Sequence, residues 1–544
     1  MGFVRHILVG LIMFAAVACE RRESMVTQFS REKILLKGNG TEPRSLDLHL
    51  IQTTTEHHIM MALFEGLVNE DAADDTTIHP GVAEKWESLD NFSRWIFHLR
   101  PDARWSDGTP LVAADFVKSY KRQLSPSFGA LYPEMLYKLK NAEAFHKGEI
   151  KDFNQVGAKA LDDHTLELTL NGPIPYFLSV LLHFTWFPVP IQVIEKHGEL
   201  ESRFNQWTRP GNMVSNGPFK LKEWKFKDYI ETERNPHYWD TKNVKLNGVR
   251  FVVVPDVATE ERLFRNGRLH MTETLGLDRI PFYKENFPEV LRVYPYLGVY
   301  FYRMNVTLPV FKDVRVRQAL NLALDRDTLV NQTLHGTHAP AYGLTPPMKA
   351  SYTLPRPLKY DPEKGRQLLA EAGYPGGKGL PKFSILVNDV ETHILIAQVV
   401  QDMWKRNLGV DVGIRTESSS VFYDTQNRLD YDVARAGWIA DFVEPISFLD
   451  MWTAGNQNNM TGWQNAQFDK LIADSYTATD PAARGKIMEQ AETLFMNDYV
   501  IVPIYWYNRQ ILVHPAVKGW HVKVLDNHPF TAMDLGDETL PAIH

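Results

Sequence analysis

The run G-V-R-F-V-V-V-P at Gly248–Pro255 is apolar at nearly every position. An alternating pattern suits a strand with one wet face, whereas a continuous apolar run suits a strand in a sheet covered on both faces. It passes directly into Asp256–Gly267, where an acidic start and a terminal glycine frame a short helix. The same succession recurs downstream. Asp313 can cap V-R-V-R-Q-A-L-N-L-A-L-D, whose apolar residues Val316, Ala319, Leu320, Ala323 and Leu324 share one face. Asp361-Pro362 opens another helix, and Gly373 closes it. Phe383–Val387 reads as a strand, followed by a helix with Ile396, Val399, Val400 and Met403 on one side and the strand V-D-V-G-I-R from Val410. That order predicts a mixed α/β body with largely buried sheets. Thr165–Leu170, which alternates apolar and polar, predicts a half-buried strand.

A chain of 544 residues, 44% hydrophobic and 23% charged, has enough apolar side chains for two or three separate cores. Its formal charge is -7 and no basic run is long enough to track a phosphate backbone, so no nucleic-acid partner is expected. Residues 1–18 combine a basic start at Arg5 with an apolar core from Ile7 to Val17, too short to span a bilayer, and predict a secretory signal peptide. Cys19 is the single cysteine, which excludes an internal disulfide and a thiolate metal site. Its place after A-V-A resembles a bacterial lipoprotein box, so Cys19 is expected to carry lipid and anchor the protein to a bacterial membrane. The alternative is a plain signal with an incidental cysteine. The polar stretch that follows predicts a tether over 19–34.

Catalytic signatures are missing: there is no H-E-x-x-H, no G-x-S-x-G and no dinucleotide fingerprint, and G-Y-P-G-G-K-G at Gly373–Gly379 lacks the spacing of a phosphate loop. His57-His58 suggests a metal only weakly, because adjacent residues on a helix diverge and no third ligand is placed by sequence; a surface or packing role is expected. The protein is read as neither an enzyme nor a holder of a metal or cofactor. One acid stands out. Asp441 lies in A-R-A-G-W-I-A-D-F-V-E-P, an apolar run in which a carboxylate is costly unless a cation meets it. The missing partner is either a nearby cation or a ligand.

Further segments run in a recognisable order: E-G-L at Glu65, V-A-E-K-W at Val82, W-I-F-H-L-R-P-D-A-R-W-S-D-G-T-P-L-V-A-A-D-F-V-K-S from Trp95 to Ser119, N-G-P-F-K-L at Asn216, F-K-D-V-R-V-R-Q-A-L at Phe311, L-L-A-E-A-G-Y at Leu368 and F-D-K-L-I-A-D at Phe468. Together they resemble the extracellular solute-binding proteins of family 5 that feed peptide ABC importers, and the G-W-I-A-D stretch resembles the oligopeptide and murein-peptide branch. The resemblance implies a three-lobed α/β periplasmic-binding-protein-like fold of type II, cluster C. Its split first domain would take 35–64, 190–297 and 509–544, its second 65–189 and its third 298–508. Two hinge segments would let the first and third close on a peptide. The Trp95–Ser119 region reads as structural on physical grounds: a turn at Asp107–Pro110, a helix cap at Asp115 and core rings at Trp95 and Trp105.

By the same comparison Asp441 would receive the free α-ammonium of a bound peptide, and Gly437, Trp438 and Ile439 would offer main-chain groups to it as a strand. Arg435 would read a carboxylate through its forked guanidinium, the alternative being an internal ion pair with Asp432 or Glu444. His393 matches a histidine near the peptide's far end, and Tyr132 a pocket tyrosine. This sequence departs from the oligopeptide binders at Gln52 and Thr54, where they have glutamate and valine, and at Leu308, Gln426 and Ser419, where they have lysine, arginine and tryptophan. The amine end is thus kept while the far end is rebuilt. The resulting expectation is a monomeric, lipid-anchored peptide receptor, in the periplasm or at the cell surface, that docks on the membrane permease subunits of an importer. A binder for another solute (a murein peptide, a metal complex, a sugar) and an exported hydrolase are the alternatives.

Overall fold

The computed structural model describes residues 23–348, 352–354, 358–540 and 543, apart from the side chains of Ser419 and Ser420. The expected signal peptide and Cys19 lie outside the described residues. Three larger sheets organise the body. Ile34–Gly38 runs parallel to Gly248–Val252, which continues antiparallel into Tyr229–Arg234 and Phe219–Lys225. A second sheet, Ala83–Leu89, Arg94–Leu99, Thr165–Thr169 and Ala158–Asp162, is wholly antiparallel. The third has six strands and contains the predicted strand-helix-strand unit: Phe383–Asn388 pairs in parallel with Val412–Glu417 across the helix Glu391–Leu408.

The local signals act as expected. Asp256, Asp313 and Asp361 each accept a hydrogen bond from the main chain of the helix they precede, at 2.8 to 2.9 Å. Val316, Ala319, Leu320, Ala323 and Leu324 are all fully buried. Trp95 and Trp105 are core rings, and Thr109 N–H donates to Asp107 in the turn at 3.0 Å. Asp115 caps its helix from the third helical position, accepting from Val112 N–H at 3.0 Å and from the Trp105 indole at 3.2 Å.

Gly248–Val252 is covered on both faces, and what covers the second face revises the reading of the N-terminal segment. Val249 and Phe251 enter the main core, while Arg250 faces Phe29 at 4.7 Å and Tyr229 at 4.2 Å. Phe29 belongs to a helix, Met25–Arg31, capped by Ser24 and anchored by buried Val26 and Phe29. The segment assigned to a tether over 19–34 is therefore folded from Ser24 onward. A one-sided helix of seven residues needs few apolar anchors, so its composition looks like that of a linker.

Two long strands, Leu291–Met304 and Ile501–Leu512, connect the first sheet region to the six-stranded sheet. They pair antiparallel, with register breaks between Pro295 and Val299 and between Tyr300 and Phe301. Bulges of this kind bend a strand pair and locally increase its twist. Before the first break the pair is held by a buried ionic network. Arg509 bridges Glu273 at 2.8 Å and Asp526 at 2.9 Å, Lys37 meets Glu273 at 2.7 Å, and Tyr294, opposite Arg509, donates to Asp526.

Truncating a buried phenylalanine removes about 3 kcal/mol or more. Phe29→Ala is accordingly expected to lower the urea midpoint of unfolding clearly; an unchanged midpoint would mean that this segment is a loose tether after all.

Candidate functional site

The strand Val433–Ile439 is central at its start and half-open at its end. Val433 and Ala434 pair with Ile385 and Leu386 on one side, and the strand from Val433 to Ile439 pairs with Met304 back to Gly298 on the other. Beyond Ala434 the Phe383–Asn388 strand diverges, so the other edge of Gly437–Ile439 has no strand partner among the described residues. Ala440 N–H donates to the Leu297 carbonyl at 2.9 Å. Strand alternation then points the main-chain groups of Trp438 toward the neighbouring strand and those of Gly437 and Ile439 toward the free edge. The Trp438 indole donates to the Ser447 carbonyl at 2.6 Å, which fixes the ring beside that edge. A side chain at Gly437 would meet the Tyr507 hydroxyl, and the Arg435 guanidinium lies just beyond.

This edge borders a cavity of about 700 Å³. Seven of the sequence-predicted residues line it: Gln52, Thr54, Tyr132, Gly437, Trp438, Ile439 and Asp441. Asp441 is half-buried, and its main-chain N–H is held by Ser447 Oγ at 3.2 Å. Among the described residues its carboxylate makes no ion pair. Burial, with Asp450 and Glu134 nearby and Lys138 opposing them, pushes the carboxyl up to about 7. Tyr132 packs edge-on against His183 and Phe184, with ring centres 6.1 and 6.2 Å apart.

Arg435 and His393 stand apart from that cavity lining and form a second group. The Arg435 guanidinium lies 5.0 Å from the Tyr300 ring centre, and the Tyr300 hydroxyl is 3.3 Å from His393 Nδ1. Neither internal partner weighed for Arg435 is used: Glu444 pairs with Arg484 at 3.1 Å, and Asp432 accepts from Ser384 N–H at 2.9 Å. Arg435 Nε is buried without a hydrogen-bond partner. Burial beside Arg435 lowers His393 to about 3, so it is neutral near pH 7. Leu308 is half-buried against the core of the six-stranded sheet and Gln426 is buried.

Glu134, Lys138 and Asp450 also line the cavity, and sequence reading passed over them. Glu134 and Lys138 sit four residues apart on the helical turn Pro133–Lys138, a spacing common on solvated surfaces, so nothing local marked them. The two histidines also separate, as their spacing predicts. His57 lines the cavity, with Nε2 2.6 Å from Asn527 Oδ1. His58 is buried between Glu273 and Asp526, at 3.4 and 3.3 Å. These groups have the spacing of metal ligands, but Lys37 and Arg509 already bring positive charge to both carboxylates. The cluster reads as a structural ion network.

The crevice combines a carboxylate without an ion pair among the described residues and an open strand edge, and comparison with known proteins names the class that the chain belongs to. The profile of bacterial extracellular solute-binding proteins, family 5 (middle region), matches residues 77–460. The periplasmic oligopeptide-binding protein OppA of Salmonella typhimurium is 40% identical over 510 residues, 92% of either protein. The unliganded open form of the murein tripeptide binding protein MppA aligns with a TM-score of 0.78 at 32% identity, over 93% of this chain and 97% of that one. OppA of Haemophilus influenzae in complex with RPPGFSPFR gives 0.76 at 34% identity, over 93% and 99%. The chain belongs to family 5 of the bacterial extracellular solute-binding proteins. It has their multi-domain type II α/β fold and is a receptor, not an enzyme.

The raised Asp441 carboxyl has a consequence for stability. Its folded-state value lies above the unfolded one, so above pH 7 the charged acid costs about 1.4 kcal/mol for each pH unit by which that value is raised, and below about pH 4 it costs nothing. In ligand-stripped protein at pH 8, Asp441→Asn is expected to melt higher than the parent, with the gain shrinking as pH falls toward 4. A lower melting point at pH 8 would mean that the carboxylate has an internal partner.

Proposed function

We propose that this protein is a periplasmic receptor that captures peptides by their free amine in a closing cleft and delivers them to the membrane subunits of an ABC importer. The observation that carries this reading is the carboxylate of Asp441, half-buried in a large cavity and unpaired among the described residues. An α-ammonium about 4 Å away gains about 4 kcal/mol at an effective dielectric near 20. Gly437 and Ile439 present main-chain groups at a free strand edge beside that acid, where an extended peptide adds as a further strand. Such bonds exist for any sequence, which suits a receptor of broad diet. Relatives named for oligopeptides and for a murein tripeptide support peptide as the ligand class.

Arg435, free of either acid weighed for it and close to Gly437, serves with His393 beside Tyr300 as the carboxylate reader farther along the ligand. The first domain (35–64, 190–297 and 509–544) and the third (298–508) close about the two strands that cross at Pro295–Val299 and Asn508. A lipid on Cys19 holds the monomeric receptor at the membrane.

In equilibrium binding measurements Asp441→Ala should weaken free-amine peptides by well over tenfold, and N-acetylation should weaken binding to the unmutated protein similarly. Equal affinity for acetylated and free peptides would overturn the reading. Affinity should also depend on pH. The carboxyl titrates near 7 in the empty cleft, facing Asp450, Glu134, Lys138 and Tyr132, and a bound ammonium pulls it down. Binding therefore expels a proton below pH 7, and affinity for a free-amine peptide should fall up to about tenfold per unit as pH drops from 7. A flat profile from pH 8 to 5 would contradict it.

A further inference from the structure

Away from the cleft, a firmly held loop points a phenylalanine at solvent. The Trp207 ring is fully buried and its indole donates to Asp47 at 3.1 Å, while the Asn205 side chain donates to the Ile194 and Glu199 carbonyls at 2.9 and 3.0 Å. Phe204, just before them, is 88% exposed, more than any other large apolar side chain among the described residues. Next in order is Phe226 at 69%, in the hairpin turn between Lys225 and Tyr229. Both rings flank one groove of about 200 Å³. Phe204 lines it, as does Trp224, two residues before Phe226. Glu42 accepts from the Trp224 indole at 2.7 Å and from Lys227 N–H at 2.9 Å, which fixes the turn beside the groove. Scattered exposed rings are ordinary, but two of this size at one groove mark a contact surface.

The groove is also positively charged. Arg44, Arg203 and Arg209 line it, and the one acid among the described lining residues, Asp47, is already paired at 2.7 Å with a fourth, buried arginine, Arg122. None of the three lining arginines forms an ion pair among the described residues. Arg203 donates to the Gly129 carbonyl at 2.9 Å and Arg209 to the Gln206 side chain at 3.3 Å, both neutral acceptors, so three positive charges stand uncompensated. Exposed arginines elsewhere are different: Arg31 meets Glu23 at 2.5 Å and Arg406 meets Asp402 at 2.7 Å.

The start of the folded chain packs against the same hairpin. Arg250 lies between Phe29 of the helix Met25–Arg31 and Tyr229, on which the hairpin turn closes, at 4.7 and 4.2 Å. Ser24, the cap of that helix, is five residues beyond Cys19, so a lipid on the cysteine lies within about 18 Å of the body. A face of the body is thereby held at the bilayer surface.

We infer that the groove and the two rings beside it form a docking face for an anionic bilayer, with Arg44, Arg203 and Arg209 on lipid phosphates and Phe204 and Phe226 inserted among the headgroups. Forked guanidinium groups bind phosphate oxygens in pairs, and apolar rings beside basic residues are what an interfacial surface requires. A soluble anion would satisfy the arginines and leave both rings in water. The short tether rests on the lipid reading for Cys19 given above; the charge and the rings stand without it.

Co-sedimentation tests the face directly, using the chain from residue 19 onward with Cys19→Ser so that no acyl group assists. The vesicles are phosphatidylglycerol and phosphatidylcholine in equal parts, or phosphatidylcholine alone. The protein is expected to bind the anionic vesicles about tenfold or more better, and to be released as salt rises. Phe204→Ser with Phe226→Ser, and separately Arg44→Gln with Arg209→Gln, should each weaken that binding about tenfold, with peptide affinity and melting point unchanged. Equal binding to both kinds of vesicle, or binding unchanged in both double variants, overturns the inference. So does full displacement by millimolar inorganic phosphate, which would mean a soluble-anion site, or a concentration-dependent dimer lost in the phenylalanine variant, which would mean that a second copy covers the face. The mass of the exported protein tests the anchor separately: a chain without acyl groups removes the lipid reading for Cys19, whatever the vesicles show.

Discussion

Holding Asp441 as a carboxylate in a half-buried cavity is unfavourable, and nothing in the described residues offsets it by a direct ion pair. The rest of the site is organised around that imbalance. The acid follows the strand Val433–Ile439, its main chain is tied to Ser447, and the Trp438 indole is tied to the same residue's carbonyl. Its position is thus set by hydrogen bonds that do not consume its charge. A group so placed gains far more from an incoming cation than an exposed acid would, because water competes less for it.

The scaffold supplies a second element, the unpaired edge. In a six-stranded sheet most main-chain groups are committed, yet the divergence of Phe383–Asn388 after Leu386 leaves one side of Gly437 and Ile439 without a strand partner among the described residues. A free edge is ordinarily an aggregation hazard. Here it borders a cavity of about 700 Å³. The buried network of Lys37, Glu273, Arg509 and Asp526 ties the two long strands to the first sheet on the near side of the register break after Pro295.

Much of this was legible in the sequence because the signals are local. A capping aspartate such as Asp313 bonds the main chain two residues on, and the buried face of the helix after it repeats every three or four positions. Asp441 was conspicuous for its apolar neighbours. Glu134, Lys138 and Asp450 were not, since their meaning arises only when segments some three hundred residues apart share one cavity. That Glu444 and Asp432 find partners other than Arg435 likewise depends on where Arg484 and Ser384 fall, which no spacing encodes. The helix Met25–Arg31 was missed because two apolar anchors in a polar stretch give too weak a period to recognise.

The most direct test of the account is a crystal structure of the closed form with a free-amine peptide bound. The account predicts the peptide's terminal ammonium within hydrogen-bond distance of the Asp441 carboxylate, and its main chain bonded to Gly437 and Ile439. A structure in which Lys138 neutralises Asp441 while the ammonium lies elsewhere in the cleft would contradict it.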